Sequence, residues 1–280
     1  MKHLAYRILA AFIFFTRLPF WQIAEVPKEC YQKVVPLWPL VGWLTGGVMA
    51  LTFWLTSFIL PPGIAILLAL TARVLITGAL HEDGFADFCD GFGGGTTRQR
   101  VLDIMKDSHI GTYGVLGLIM YFLLLFVTFD TILGFGPFSD GAYRIVLLFL
   151  MADPFCKWVS STIIYFLPYA RTEAEAKNKL IYTRASLLEK LLSLMLGILP
   201  MVIIVMVLQL FDDIPLLVLA CTTSILTAIL LFHHMHRRIQ GYTGDCCGAT
   251  FIICELVFDL TALAYIHTYN IVTWQHLFSK

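Results

Sequence analysis

The chain has 280 residues, of which 59% are hydrophobic and only 14% charged, with 19 basic against 19 acidic side chains and a mean hydropathy of +0.80. That composition excludes an ordinary soluble domain and defines an all-α, polytopic integral membrane protein, a helical bundle in the lipid bilayer. The basic residues are dispersed and belong to no recognition module, which excludes nucleic acid as a partner.

In chain order, the first apolar run, Leu4 to Phe15, is short and carries Arg7. It reads as an interfacial helix, and no small-residue cleavage site follows it to suggest a signal peptide. Runs of membrane-crossing length then fall near 37 to 60, 61 to 80, 114 to 133, 143 to 168, 191 to 210, 214 to 233 and 248 to 268. They predict about seven spans, six to eight, in a single helical domain over residues 1–280. If seven are threaded, the N-terminal segment and the regions near 81 to 113, 169 to 186 and 236 to 247 share one side. They hold fourteen Lys or Arg, against Lys280 alone on the other. The positive-inside rule makes the basic side cytoplasmic.

The region 81 to 113 has the composition of a site, and it is expected to form a cytoplasmic acidic, glycine-rich catalytic loop. Asp83, Asp87 and Asp90 stand at i, i+4 and i+7, so a helix aligns their carboxylates on one face. Aligned carboxylates call for a cation, and hard oxygen ligands favour Mg²⁺, with Mn²⁺ as the alternative. Gly93, Gly94 and Gly95 follow, with backbone amides suited to phosphate oxygens. Arg98, Arg100 and Lys106 are close in sequence, and Asp103 and Asp107 repeat the i, i+4 spacing. Metal, cations and backbone amides together neutralise phosphoryl groups during transfer.

The other polar stretches are less distinctive. Residues 169 to 186, with Arg171, Glu173, Glu175, Lys177, Lys179 and Arg184, read as a solvated connection. The island from Gln240 to Ala249 faces the same side, where Asp245 either caps the last span or joins the site, and Gly241, Gly244 and Gly248 admit close approach. Seven cysteines with no CxxC pair read as reduced and structural, and His233, His234 and His236 as interfacial residues rather than zinc ligands. Within the spans, Asp153 and Lys157 are spaced to neutralise each other. Glu255 and Asp259 need a partner from another helix, for which Arg73 is a candidate.

These segments together resemble the cobalamin synthases, the adenosylcobinamide-GDP ribazoletransferases. The resemblance runs through Phe15-Thr16-Arg17-Leu18-Pro19, Pro39-Leu40-Val41-Gly42, Gly78 to Gly95, Ile104-Met105-Lys106-Asp107-Ser108 with Gly111 and Gly114, and Thr243-Gly244-Asp245 with Gly248-Ala249. It implies a multi-pass enzyme of the bacterial or archaeal cytoplasmic membrane, its site facing the cytoplasm. The implied reaction is Mg²⁺-dependent: a ribose hydroxyl of α-ribazole, or of its 5′-phosphate, attacks adenosylcobinamide-GDP and GMP leaves. Under it, Asp83, Asp87, Asp90 and Asp107 are expected to hold metal. His81, Asp245 and Lys106 are the expected catalytic groups, and Gly93, Gly94, Gly95, Arg98, Arg100, Ser108 and Gly244 the expected phosphate or substrate contacts. A homo-oligomer is left open. Three positions depart from the family's pattern: Glu82 in place of an apolar residue, Lys157 near an expected Arg, and Ile252 where a Glu is common. Two other readings compete. The DxxxD pairs would suit a membrane prenyltransferase, and the ionisable residues within spans would suit a cation-coupled transporter.

Overall fold

The structure is a computed structural model that describes residues 2–135, 137–171, 182, 183 and 185–278. Among the described residues it contains helices and no strand, the nearest approach to a sheet being a lone bridge between Tyr169 and Tyr242. The elements are α1 (Lys2–Phe15), α2 (Lys28–Tyr31), α3 (Trp38–Ser57), α4 (Pro62–Thr77), α5 (Leu80–Gly94), α6 (Arg98–Ile104), α7 (Thr112–Leu133), α8 (Phe138–Ser161), α9 (Ile163–Phe166), α10 (Leu187–Leu208), α11 (Ile214–Ile239) and α12 (Gly244–Phe278).

Among the described residues, six helical stretches are long and apolar enough to cross a membrane: Val35–Ser57, Thr112–Leu133, Ser139–Phe166, Leu187–Leu208, Phe211–Ile239 and Gly244–Tyr269. The chain is thus a multi-pass helical membrane protein. The seventh expected span, 61 to 80, differs from the reading. Helix α4 stops at Thr77, and at a rise of 1.5 Å per residue it is only about 24 Å long. It joins α5 through an 89° bend, so the two count as one span only if the broken pair is taken together. Gly78 and Ala79 both adopt left-handed backbone, with φ of +63° and +57°, and the turn satisfies itself as Ala79 N–H donates to the Val74 carbonyl at 2.9 Å. The space beside Gly78 belongs to Arg17: a Cβ there would lie 2.3 Å from Arg17 Nε. The bend is therefore built jointly by the Gly78 turn and the N-terminal Thr16-Arg17 segment.

Helix α8 is the most enclosed, packed by α3, α10 and α12. Helices α10 and α11 instead turn apolar residues outward, Leu191, Met195, Val202 and Met206 on α10 and Val218, Leu226 and Ile229 on α11, as lipid-facing helices do. The starts of α3, α5, α7 and α12 and the ends of α8 and α11 come together at one end of the bundle, and the polar segments meet there.

Candidate active site

Helices α5 and α12 cross almost backbone to backbone. A Cβ on Gly84 would lie 3.1 Å from Asp245 Cα, and one on Gly248 would lie 3.0 Å from the His81 carbonyl oxygen. A side chain at either position would press the two backbones apart. The crossing brings His81 and Asp83 from α5 into one cavity with Gly244 and Asp245 from α12. The cavity measures about 200 Å³, and Trp38, Tyr169, Arg171 and Tyr182 complete much of its lining.

The polar groups differ in how they are held. Asp83 is exposed to the cavity and Asp87 lies one turn along α5, half-buried. Asp245 is 8% exposed, and Thr243 Oγ1 donates to its Oδ2 at 3.3 Å. His81 is packed among Trp38 and Phe251, with ring centroids 5.3 and 4.9 Å away. Its Nε2 is buried and has no hydrogen-bond partner among the described residues, an arrangement that is rare for a buried polar atom. Burial pushes the Tyr169 phenol up to about 12, and Tyr182 is raised strongly by the same cause. Both stay neutral donors at physiological pH.

The expected four-carboxylate set is not assembled. Among the described residues, no three His, Cys, Asp or Glu side chains are grouped to hold a metal ion. Asp90 shares the face of Asp83 and Asp87 but lies deeper, where its oxygens accept from the amides of Gly111 at 2.6 Å and Gly114 at 2.9 Å. It anchors the N-terminus of α7, a position that favours a negative charge. Asp107 does not continue a helical face from Asp103, because α6 ends at Ile104. Its exposed carboxylate accepts from His109, with Nδ1 at 2.7 Å. What remains is Asp83 and Asp245 facing one cavity, with Asp87 beside them. Mg²⁺ is commonly held by one or two carboxylates together with substrate phosphates and water, and this oxygen-rich pair fits that mode better than a protein cage.

The region 81 to 113 is also more ordered than a loop. Gly93 and Gly94 form the last turn of α5, and Gly95 N–H donates to the Gly91 carbonyl at 2.9 Å. Their amides are taken up by the helix rather than offered to phosphate. The basic residues gather nearby instead: Arg98 and Lys106 line a second cavity of about 380 Å³ that shares Tyr169 and Arg171 with the first. Arg98 has a structural task there, donating to the carbonyls of Ile239 at 3.0 Å and Ala170 at 2.6 Å. Arg100 and Ser108 are exposed and line neither cavity. Arg171 and Tyr169 were legible only as parts of a plain connection, since the strand-like pairing of Tyr169 with Tyr242 that places them is non-local. Glu173, Glu175, Lys177, Lys179 and Arg184 lie outside the described residues.

The buried cations of the spans, Arg73 and Lys157, each meet a buried acid. Arg73 donates to Glu255 and to Tyr121, whose hydroxyl donates to Glu255 Oε2 at 2.8 Å. Lys157 pairs with Asp153 and also donates to Thr45 at 3.1 Å. Both pairings agree with the sequence reading for Asp153, Lys157, Glu255 and Arg73, whereas Asp259, also buried, keeps Oδ1 without a hydrogen-bond partner among the described residues. Glu82 resolves here as well: only 3% exposed, it turns inward with Oε1 3.7 Å from Arg73, and neither of its oxygens has a hydrogen-bond donor among the described residues.

Membrane-length helices that close around a largely aromatic cavity carrying two carboxylates, a histidine and Arg171 define a polytopic membrane protein with a candidate site at one end of its bundle. The sequence model of the cobalamin-5-phosphate synthase family matches residues 7–263, and the chain belongs to that family. It is 35% identical over 255 residues to an adenosylcobinamide-GDP ribazoletransferase of Shewanella putrefaciens, covering 91% of this chain and 92% of the relative. Proteins of the same name from Shewanella baltica, 36% identical over 89% and 90% of the two chains, and from Leptospira interrogans, 31% identical over 91% and 93%, are similarly related. No solved structure matches. The protein is accordingly an enzyme, a transferase of cobalamin biosynthesis.

Proposed function

We propose that the α5–α12 cavity transfers α-ribazole, or its 5′-phosphate, onto adenosylcobinamide-GDP at the cytoplasmic face of the cytoplasmic membrane, releasing GMP and forming adenosylcobalamin or its 5′-phosphate. The observation that carries this reading is the helix crossing that sets Asp83, Asp245 and His81 around one cavity. The names of the relatives support the corrinoid substrate, and the basic cluster at this end of the bundle supports the orientation.

The chemistry is a displacement at phosphorus. The ribose hydroxyl oxygen forms a bond to the cobinamide-linked phosphorus, and the bond from that phosphorus to the bridging oxygen breaks. GMP leaves with the bridging oxygen and the electron pair. The hydroxyl proton passes to His81, a lining residue of the cavity whose Nε2 has no hydrogen-bond partner among the described residues. Asp83 and Asp245, with Asp87 in support, would hold Mg²⁺, which when bound neutralises pyrophosphate charge and stabilises the departing nucleotide. Arg171, shared with the second cavity, adds positive charge at the same edge. No covalent intermediate on the protein is needed.

Purified protein in detergent, supplied with Mg²⁺, adenosylcobinamide-GDP and α-ribazole, is expected to release GMP and form a base-carrying corrinoid in equal amounts. If neither product forms, the reaction is wrong. If His81→Ala makes both at the wild-type rate, the proton acceptor is wrong.

A further inference from the structure

We infer that the second cavity is a separate subsite for a phosphate monoester, with Arg171 and Lys106 as its cations. The inference rests on the reading of the first cavity as the transfer site. The two cavities lie side by side and share Tyr169 and Arg171, but they differ in charge. The first sets two carboxylates, Asp83 and Asp245, against Arg171, so a phosphate there gains from a metal between it and the carboxylates. Among the described residues the second is lined by Arg98, Lys106 and Arg171 against one carboxylate, Asp103, and that carboxylate already accepts from Gln99 Nε2 at 2.8 Å. A dianionic group is neutralised there by the protein alone.

The wall of this cavity is fixed before any ligand arrives. Arg98 is tied to the carbonyls of Ile239 and Ala170, and Arg171 Nη2 donates to the Leu102 carbonyl at 2.7 Å. Ala170 N–H in turn donates to the Tyr242 carbonyl at 2.8 Å, and Tyr242 N–H to the Pro168 carbonyl at 2.9 Å. These bonds fasten the Tyr169–Arg171 segment to both α6 and the start of α12. Arg171 is only 8% exposed, so its guanidinium acts from a low-dielectric position where charge is felt strongly. Lys106, at the exposed rim, supplies a mobile second charge. A planar guanidinium with five donors is well matched to phosphate oxygens.

Two phosphate monoesters take part in the proposed reaction, the 5′-phosphate of a phosphorylated acceptor and the departing GMP. They present the same chemistry, and the experiment separates them. Full-length enzyme in detergent and its Arg171→Gln and Lys106→Gln variants are assayed with α-ribazole and with α-ribazole 5′-phosphate as acceptors, and for inhibition by GMP. An acceptor subsite predicts that the ratio of kcat/KM for the phosphorylated over the unphosphorylated acceptor falls about tenfold in each variant. A GMP subsite predicts a similar rise in the GMP inhibition constant with that ratio unchanged. The inference is overturned if ratio and inhibition constant both stay within twofold of wild type. Because Lys106 is exposed, its variant keeps the test open should Arg171→Gln fail to fold. If wild type uses neither acceptor, the transfer reading fails by itself. Equilibrium binding of α-ribazole 5′-phosphate and of GMP to wild type and Lys106→Gln then decides the subsite: weaker binding of either by the variant supports it, and equal binding of both overturns it.

Discussion

Replacing Gly248 by alanine tests the α5–α12 crossing directly. The added Cβ would meet the His81 carbonyl oxygen at 3.0 Å and His81 Cα at 3.3 Å, both backbone atoms that cannot rotate away. Unstrained carbon contacts settle at about 3.5–4.0 Å, so the helices must part by about 0.5 Å. Overpacking of this kind costs about 1–3 kcal/mol of stability. A misplacement of about 1 Å in a catalytic constellation can cost about 100-fold in rate, so half that distance predicts a loss near tenfold. The assay is GMP release per folded molecule, with folded protein measured separately by size-exclusion recovery. Gly84→Ala should act in the same way, since its Cβ would meet Asp245 Cα at 3.1 Å. The double variant should lose less than the product of the two single losses, because helices already parted by one methyl accommodate the second. Full activity per folded molecule in Gly248→Ala would refute the claim that this contact sets the spacing of His81 and Asp83 from Asp245.

Other expectations separate structural from chemical groups. Asp90→Asn should cost about 1–2 kcal/mol of thermal stability, since the amide can accept only one of the two hydrogen bonds from Gly111 and Gly114; activity per folded molecule should change far less than in Asp83→Asn. Glu82→Leu should keep activity and leave stability unchanged or raised in detergent melts, because it removes a buried carboxylate with no hydrogen-bond donor; a large loss of stability would show that the Arg73 contact is needed. Hydrogen bonds from His109, the ring first and then the backbone, hold the Asp107 carboxyl below the ordinary carboxylate range. A depressed carboxyl adds stability above its unfolded value, and that contribution disappears as pH falls through the folded value. In carboxyl-carbon NMR titration, His109→Ala should therefore raise the Asp107 midpoint toward about 3.9, and an unmoved midpoint would contradict the contact.

Much of the fold could be read from the chain because membrane spans announce themselves as apolar runs, and six of the expected runs are helices of crossing length. The bend after α4 had a partial signal in Gly78, a left-handed helix stop, but the second left-handed residue, Ala79, carries none and adopts that backbone under tertiary constraint. The glycine run misled for a related reason: glycine is a poor helix former, yet packing of Gly91 against Met105 and of Gly93 against Tyr113 holds it helical. Spacing placed Asp83, Asp87 and Asp90 correctly on one face, but spacing along a helix does not say what lies opposite. Opposite Asp83 is a cavity shared with Asp245, and opposite Asp90 is the start of α7. Arg73 with Glu255 was legible because buried charge demands a partner. Arg171 was not, because a cation in a polar connection carries no such demand.

The central claim is that Asp83 and Asp245, from different helices, serve one Mg²⁺-assisted transfer site, and the Mg²⁺ activation curve tests it most directly. GMP release is measured against Mg²⁺ concentration for wild type, Asp83→Asn and Asp245→Asn. The account predicts a Mg²⁺ requirement raised about tenfold or more in each variant, with the double variant little worse than either, as for residues that act as a unit. Wild-type Mg²⁺ dependence and rate in either single variant would contradict it.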